Sequence, residues 1–388
     1  MKINSLRARK ILDSRGSWTL EVILRTSKGE VLRASVPEGT SRGSNEAVSF
    51  SAEKAIQNIE KIINPKLRGI SVLNQEKIDQ ILIDLDGTKN KSGLGANAIL
   101  GVSLACARAG AVSSNIHLWR YLRKSGRIKV SKNHWPRLFA NVINGGLHAH
   151  NKLDFQEYMI IPHAANFSKS IEVILKLYGH LEDYLQRTHK LSGVGYEGGF
   201  CPDLKNNLEP LKILTKIISD LKLSKRVNLG IDVAASNVKI KQKKLLSLYN
   251  EISRKFGLLY LEDPFEENDF QSFRDLRDKT NRIMLVAGDD LTTTNVIRME
   301  RAKEEGSISS VIIKPNQIGT VSESIKAIKL ANKFGWATVV SHRSGETNDS
   351  FVADLAYGLG VYGFKLGAPA RGERISKYNR LLEIEKEI

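Results

Sequence analysis

The sequence predicts an α/β protein, a modified TIM barrel that opens ββαα and continues in βα units, behind an N-terminal α+β domain. Three observations carry this. First, polar residues recur at the carboxyl ends of short apolar runs: Asp232 in NLGIDVA, Glu262 in LLYLEDP, Asp289 in MLVAGDD, Lys314 in SVIIKPN and His342 in ATVVSHR, with Lys365 in YGFKLG as a sixth. Their spacings of 30, 27, 25, 28 and 23 residues suit one strand, one helix and two short loops each, the period of a barrel whose active site lies at the strand C-termini. Second, the first 125 residues do not follow that period. Third, RLFANVIN and DFQEYMIIP are separated only by the glycine-rich NGGLHAHNK, too short for a crossover helix, so these two strands should pair antiparallel.

Taken in order, TLEVILRT and EVLRASVP alternate apolar and polar residues around Ser27, Lys28 and Gly29, which reads as a β-hairpin. Segments 46–63, 74–84 and 95–112 carry helical spacing, the last rich in small residues that allow close packing. The polar stretch GRIKVSKNHWP, near 124–135, joins a first domain of residues 1–125 to a second of residues 126–388. After the two antiparallel strands come helices at about 167–189 and 206–220, split by the loop SGVGYEGGFCP, and regular βα units begin at 227. Thr320 with Glu323 three residues on is a capping-box signature, which starts a helix just after the Lys314 strand.

Composition sets the outer bounds. A chain of 388 residues with 41% hydrophobic content can bury a large core. MKINSLRARK lacks an apolar signal core and no run of 18 apolar residues occurs, so a soluble, cytoplasmic protein with no membrane partner is expected. Cys106 and Cys201 have no metal-type spacing and should be reduced. The net charge of +17 is spread along the chain, with only short clusters such as KIKQKK at 239–244. It reads as a basic solvated surface; attraction to anionic small molecules or weak RNA contact is the other use of such charge.

The strand-end residues hold the chemistry. Asp232, Glu262 and Asp289 come from consecutive strands, and three carboxylates share a site only with a cation, because their repulsion otherwise raises their pKa values. Hard oxygen ligands with room for water or substrate suit Mg²⁺. Singly, each acid is also an ordinary N-cap for the next helix. Lys314, beside a cation and a second lysine, should have a lowered pKa and serve as general base; a Schiff-base lysine is the rival use. SHRSGET offers an anion clamp in Arg343 and Ser344, although a turn of this composition often has no function. GTSRG at 39–43, NGGLHA at 144–149 and GYEGG at 195–199 supply Ser41, His148 and Glu197 on glycine-flanked loops able to close over substrate.

These blocks, in their order ARKILDSRG, VPEGTSRG, LDGTKNKSGLGANAILGVSLA, NVINGGLHA, FQEYMI, EGG, GIDVAAS, EDPF, GDDLTTTN, KPNQIGTVSES, SHRSGET and GAPARGER, resemble the enolase family nearly end to end. The resemblance implies an N-terminal capping domain and reversible dehydration of 2-phosphoglycerate to phosphoenolpyruvate, a step of glycolysis and gluconeogenesis. It implies two Mg²⁺ ions, one on Asp232, Glu262 and Asp289 and one joined by Ser41. Lys314 matches the base that takes the C2 proton, and Glu197, assisted by Glu157, the acid at the C3 hydroxyl. Arg343 and Ser344 match phosphate binders, and His148, Gln156, His342 and Lys365 line the small phosphorylated carboxylate. A homodimer or higher homo-oligomer is also implied.

Several positions depart from the family pattern. Tyr196 replaces the aspartate before the loop glutamate, Arg42 follows the lid serine where threonine is usual, DSRGSWT stands for DSRGNPT, and the charge is basic rather than acidic. Two alternatives therefore stay open: a paralogue acting on a related phosphonate or phospho-carboxylate, in the manner of carboxyphosphonoenolpyruvate synthase, and a non-catalytic basic binding protein.

Overall fold

The computed structural model describes every residue except 41–42, 132–133, 239 and 281–283, and of 243 the backbone alone. Ser41 and Arg42 therefore lie outside the described residues.

Strands β1 (Ile3–Leu12), β2 (Trp18–Thr26) and β3 (Val31–Ser35) form an antiparallel sheet in sequence order. The hairpin around Ser27–Gly29 is the expected one. Strand β1 was not evident in the sequence, because only Ile3 and Leu6 are buried in a ten-residue edge strand, too few for a period of two to stand out.

The first helix differs from its predicted span. Residues 46–51 form no helix, and the helix starts at Ala52, where Ser51 accepts a side-chain hydrogen bond from the Lys54 N–H. Ala47 instead donates its N–H to Gln317 O (2.8 Å), and Val48 pairs with the backbone of Asn90 and Ala96. The apolar residues that looked like a helix face are thus spent on contacts with neighbouring segments. A π-helical turn at Ile59–Ile63 precedes Pro65, whose missing N–H and ring disturb the regular ladder. Helices Gln75–Asp86 and Ala96–Ser113 fall where predicted. Ala96–Ser113 is long and apolar enough to cross a membrane by length and composition, although Ser103 and Arg108 interrupt its apolar run; nearly all of it is packed inside this domain.

Strands β4 (Arg137–Asn144), β5 (Glu157–Pro162), β6 (Val227–Asp232), β7 (Tyr260–Glu262), β8 (Leu285–Gly288), β9 (Ser310–Ile313), β10 (Ala337–Ser341) and β11 (Gly363–Lys365) close a barrel in the ring order β10-β11-β4-β5-β6-β7-β8-β9. Only β5 runs against its neighbours, pairing antiparallel with β4 and β6. Helices Phe167–Arg187 and Glu209–Asp220 complete the ββαα opening. Phe139, Met159, Ile161, Tyr260, Ile312 and Val339 fill the barrel beneath the mouth, so polar chemistry is confined to the strand ends.

The two parts are fastened at several points. Arg108 holds Asp349 through two bonds of 2.6 and 2.8 Å. Glu38 and Gly345 exchange backbone hydrogen bonds of 2.7 and 2.9 Å. Asp79, fully buried, accepts the Ser322 N–H at 2.8 Å and the Ser103 hydroxyl at 2.6 Å. A side chain of the first domain thereby caps the barrel helix Val321–Phe334, whose own Thr320 accepts the Glu323 N–H as the capping box requires.

Candidate active site

Strand register builds the mouth. Glu157 is opposite Asp232, Asp232 opposite Glu262, and Ser341 opposite Lys365. Because β5 is reversed, its first residue, Glu157, reaches the same end as the last residues of the parallel strands. Of the residues singled out from sequence, His148, Gln156, Glu157, Glu197, Asp232, Asp289, Lys314, His342, Arg343, Ser344 and Lys365 line one cavity. Glu262 lies just behind that wall, fully buried, with Tyr260 donating its hydroxyl at 2.8 Å.

At the floor, the Lys365 ammonium donates to Asp232 Oδ2 (2.9 Å) and both Glu262 oxygens (2.9 and 3.0 Å), and lies 3.1 Å from Glu157 Oε2. Burial works against its charge, but Asp232, Glu157 and Glu262 outweigh it and hold Lys365 well above the usual lysine range. The Glu262 carboxyl is pushed up to about 8, first by burial and then by Asp232. The three predicted metal ligands thus do not gather around empty space: Lys365 lies between two of them, and Asp289 turns to Lys314 in a close ion pair.

That pair corrects one expectation. Burial pulls the Lys314 pKa down, but Asp289 prevails and Lys314 lies above its ordinary value, not below it. A neighbouring lysine and a cation would lower it, but the direct Asp289 contact outweighs them.

A metal ion nevertheless fits the donor set. Among the described residues the cavity is lined by seven carboxyl groups and three cationic side chains, a surplus of buried negative charge. Asp263, Asp289 and Asp290 place carboxylate oxygens within 4.8 Å of one another. Burial and the charge of Asp289 push Asp290 up to about 7, and burial with Asp290 raises Asp263. Gln156 Oε1 is buried with no hydrogen-bond partner. Carboxylates forced toward protonation are stabilised by a hard cation. Asp263 and Asp290 were passed over in the sequence because each sits in an acidic doublet of which one member ends the strand. Asp263 has a structural task, accepting the Asp289 and Asp290 N–H groups at 2.9 and 2.8 Å.

The opposite wall holds the other carboxyl pair. Glu197 Oε2 accepts from Asn141 Nδ2 at 3.0 Å and lies 3.2 Å from His342 Nε2. His148 Nδ1 is 3.6 Å from Glu157 and 3.7 Å from Glu197. Burial holds both imidazoles down, His342 to about 3, so near neutral pH the His342 ring is uncharged. Burial and the charge of Glu197 drive Glu157 well up. Burial alone would raise Glu197 as well, but His342, His148 and Arg374 hold it well below the carboxylate range. The pair therefore keeps one proton, resting on Glu157. The acid loop closes on glycine: Gly198 has φ +83°, and a Cβ on Gly199 would lie 2.7 Å from Asn144 Oδ1. Tyr196 enters this loop through its backbone, its N–H toward His148 O (3.4 Å) and its carbonyl accepting from Arg374.

The anion clamp is assembled across the domains. Arg343 meets the Glu46 carboxylate at 3.1 and 3.2 Å, and this neighbour holds its guanidinium well above the ordinary range although burial opposes it. Ser344 Oγ accepts the Thr40 N–H at 2.8 Å. Glu46 had no signal in the sequence, since it lay in a stretch read as helix. Arg374, in the helix Gly372–Glu387, has no signal in the sequence beyond its place in GAPARGER; it is fully buried and bonded to His342 and to the carbonyls of Arg343, Ser344 and Tyr196.

Comparison with known proteins agrees with this geometry. Residues 3–122 match the enolase N-terminal domain, and residues 133–243 and 236–388 match the enolase C-terminal TIM barrel domain. The chain is 40% identical over 415 residues to the enolase of Methanopyrus kandleri, covering 100% of this chain and 96% of the relative. It is 41% identical over 426 residues to enolase B of Dictyostelium discoideum, covering 100% and 95%. The chain belongs to the enolase family.

Proposed function

We propose that the protein is a Mg²⁺-dependent enolase that interconverts 2-phosphoglycerate and phosphoenolpyruvate. The observation that carries this reading is the placement of base and acid. β5 and β9 are four places apart in a ring of eight, so the acid pair, Glu157 at the start of β5 with a Glu197 oxygen within 4.8 Å of it, faces Lys314 after β9 across the mouth. A substrate carbon skeleton lying between them has its two faces served by different groups.

In the forward direction, Arg343 and Ser344 bind the phosphate, which competes with Glu46 for the guanidinium. With Asp289 committed to a bound cation, the ion pair that keeps Lys314 protonated would be broken and its proton released to solvent; the neutral amine then takes the proton from C2, and the electron pair of that C–H bond becomes the C2–C3 double bond. The C3–O bond breaks as Glu197 gives its proton to the departing hydroxyl, which leaves as water. Glu157 is the reserve of that proton, and the buried imidazoles of His148 and His342 flank the pair at 3.2–3.7 Å. Asp232, Glu262 and Asp289 would hold one Mg²⁺ and Ser41 would join a second, supplying the positive charge that makes a C–H beside a carboxylate acidic. Hard oxygen donors support magnesium over softer metals.

The alternatives weighed from sequence are not favoured. The relatives are named enolases, and base, acid pair and clamp line a single cavity. A cytoplasmic setting and an assembly of at least two copies are part of the same proposal; light scattering of the purified protein reads the latter.

The test is direct. Purified protein mixed with 2-phosphoglycerate and Mg²⁺ should generate phosphoenolpyruvate absorbance, lost with EDTA and in Lys314→Ala. No turnover in the presence of Mg²⁺ would sink the proposal.

A further inference from the structure

Arg374 occupies an unusual position. Its guanidinium is completely buried and touches four separate groups: Nη1 donates to His342 Nδ1 (2.8 Å) and to Arg343 O (2.7 Å), and Nη2 donates to Tyr196 O (3.0 Å) and to Ser344 O (2.8 Å). One side chain thus spans the loop that carries the acid and the loop that carries the clamp. The Glu373 carboxylate is 3.6 Å from Nε, and Glu197 lies on the far side of His342, so the buried charge is answered from both directions.

The contact with His342 has a chemical consequence. Arginine has donors only and does not lose its proton in proteins, so His342 Nδ1 must offer a lone pair. A neutral imidazole with Nδ1 as acceptor carries its hydrogen on Nε2. That Nε2 is buried without a hydrogen bond of its own and lies 3.2 Å from Glu197 Oε2, to which Asn141 Nδ2 donates at 3.0 Å. With Asn141 donating to Oε2 and the protonated Nε2 3.2 Å from the same oxygen, a proton on Glu197 resides on Oε1, the oxygen on the His148 side.

We propose that Arg374 is a positioning residue of the acid half-reaction: it fixes His342 as the Nε2–H tautomer and thereby decides which oxygen of Glu197 delivers the proton to the leaving hydroxyl. This rests on the reading of Glu197 as the acid. The ties to Arg343 O and Ser344 O hold the clamp in register with that oxygen. Lysine cannot replace it, since one ammonium with three donors does not reach four acceptors on two chain segments in a fixed plane.

Two measurements test this. In ¹⁵N-histidine-labelled wild-type protein, with the His342 signals identified by their disappearance in His342→Gln, the nitrogen shifts should report a neutral Nε2–H ring from pH 8 to pH 5. An Nδ1–H ring or an imidazolium in that range would overturn the proposal, whatever the enzyme's activity. In Arg374→Lys, dehydration of 2-phosphoglycerate should fall by about 10-fold or more while exchange of the C2 proton with solvent falls much less, because general acid assistance is worth about 10²–10⁴-fold and the base lies on another strand. Equal loss of exchange and dehydration, as a merely structural role would give, counts against it. If wild-type protein does not act on 2-phosphoglycerate at all, the functional reading fails and the nitrogen shifts still decide the tautomer.

Discussion

Replacing Asp79 with asparagine isolates the energetics of one buried carboxylate that joins the domains. Asp79 is fully buried, and burial is the largest influence on it, raising its pKa from 3.8 to about 6 despite bonds from Ser103, Ser322 and Gln75. That displacement corresponds to about 3 kcal/mol at about 1.36 kcal/mol per tenfold change in acidity. The sign follows from proton binding. Between pH 3.8 and about 6 the folded protein keeps a proton on Asp79 that the unfolded chain has released, so stability from this group is present at low pH and lost as pH rises through 6. The amide of the Asp79→Asn variant has no such titration. The stability difference between variant and wild type should therefore shift in the variant's favour by about 2–3 kcal/mol between pH 4 and pH 7, because most of the linkage falls in that interval. Gln75 Oε1, buried without a partner, is available to the new amide. Any fixed cost of repacking cancels when the two pH values are compared, as do all titrations common to both proteins. Urea unfolding followed by tryptophan fluorescence gives the difference at each pH. A variant-minus-wild-type difference that stays flat from pH 4 to pH 7 would refute the assignment of a proton to Asp79.

Three further outcomes follow from the site. Lys365→Met leaves Asp232, Glu262 and Glu157 without their shared ammonium, so the metal-free protein should lose about 3–5 kcal/mol; Mg²⁺ should restore more stability to the variant than to wild type, and wild-type stability without metal would contradict the counter-charge role. Glu197→Gln should block dehydration while leaving C2 proton exchange, followed by NMR in deuterated water; equal loss of both would remove Glu197 from the acid role. In Gly198→Ala, a Cβ at φ +83° would lie 2.9 Å from Ala370 O, a local strain of about 1–3 kcal/mol. Turnover should fall with the far-ultraviolet circular dichroism unchanged, and full activity would mean that the acid loop tolerates displacement.

Much of the architecture was legible because it repeats. Apolar runs ending in Asp232, Glu262, Asp289, Lys314, His342 and Lys365 are long enough, and spaced evenly enough, for period and polarity to agree. The antiparallel β4–β5 pair was legible from a negative feature, a connection too short for a helix. What escaped were features set by contacts remote in sequence. Residues 46–51 have helical apolar spacing, and contacts with Asn90, Ala96 and Asn97 of the first domain and Gln317 of the barrel keep them out of a helix. Lys314 was assigned a low pKa because its neighbour Asp289 was counted for the metal alone, and Glu46, Asp263, Asp290 and Arg374 serve residues 26 or more positions away. For Ser41 and Arg42 the comparison rests outside the described residues.

The reversed strand β5 has a bearing on how such a site can be altered. Glu157 works at the mouth only because its strand enters from that side. Exchanging the β4–β5 hairpin for an ordinary βα unit would put the same position at the bottom of the barrel, about 17–20 Å away at roughly 3.3 Å per residue over the six residues Glu157–Pro162. No series of single substitutions crosses that gap. An all-parallel barrel scaffold therefore does not serve as a stepping stone to this chemistry, and designers who want a proton reserve here must import the hairpin whole.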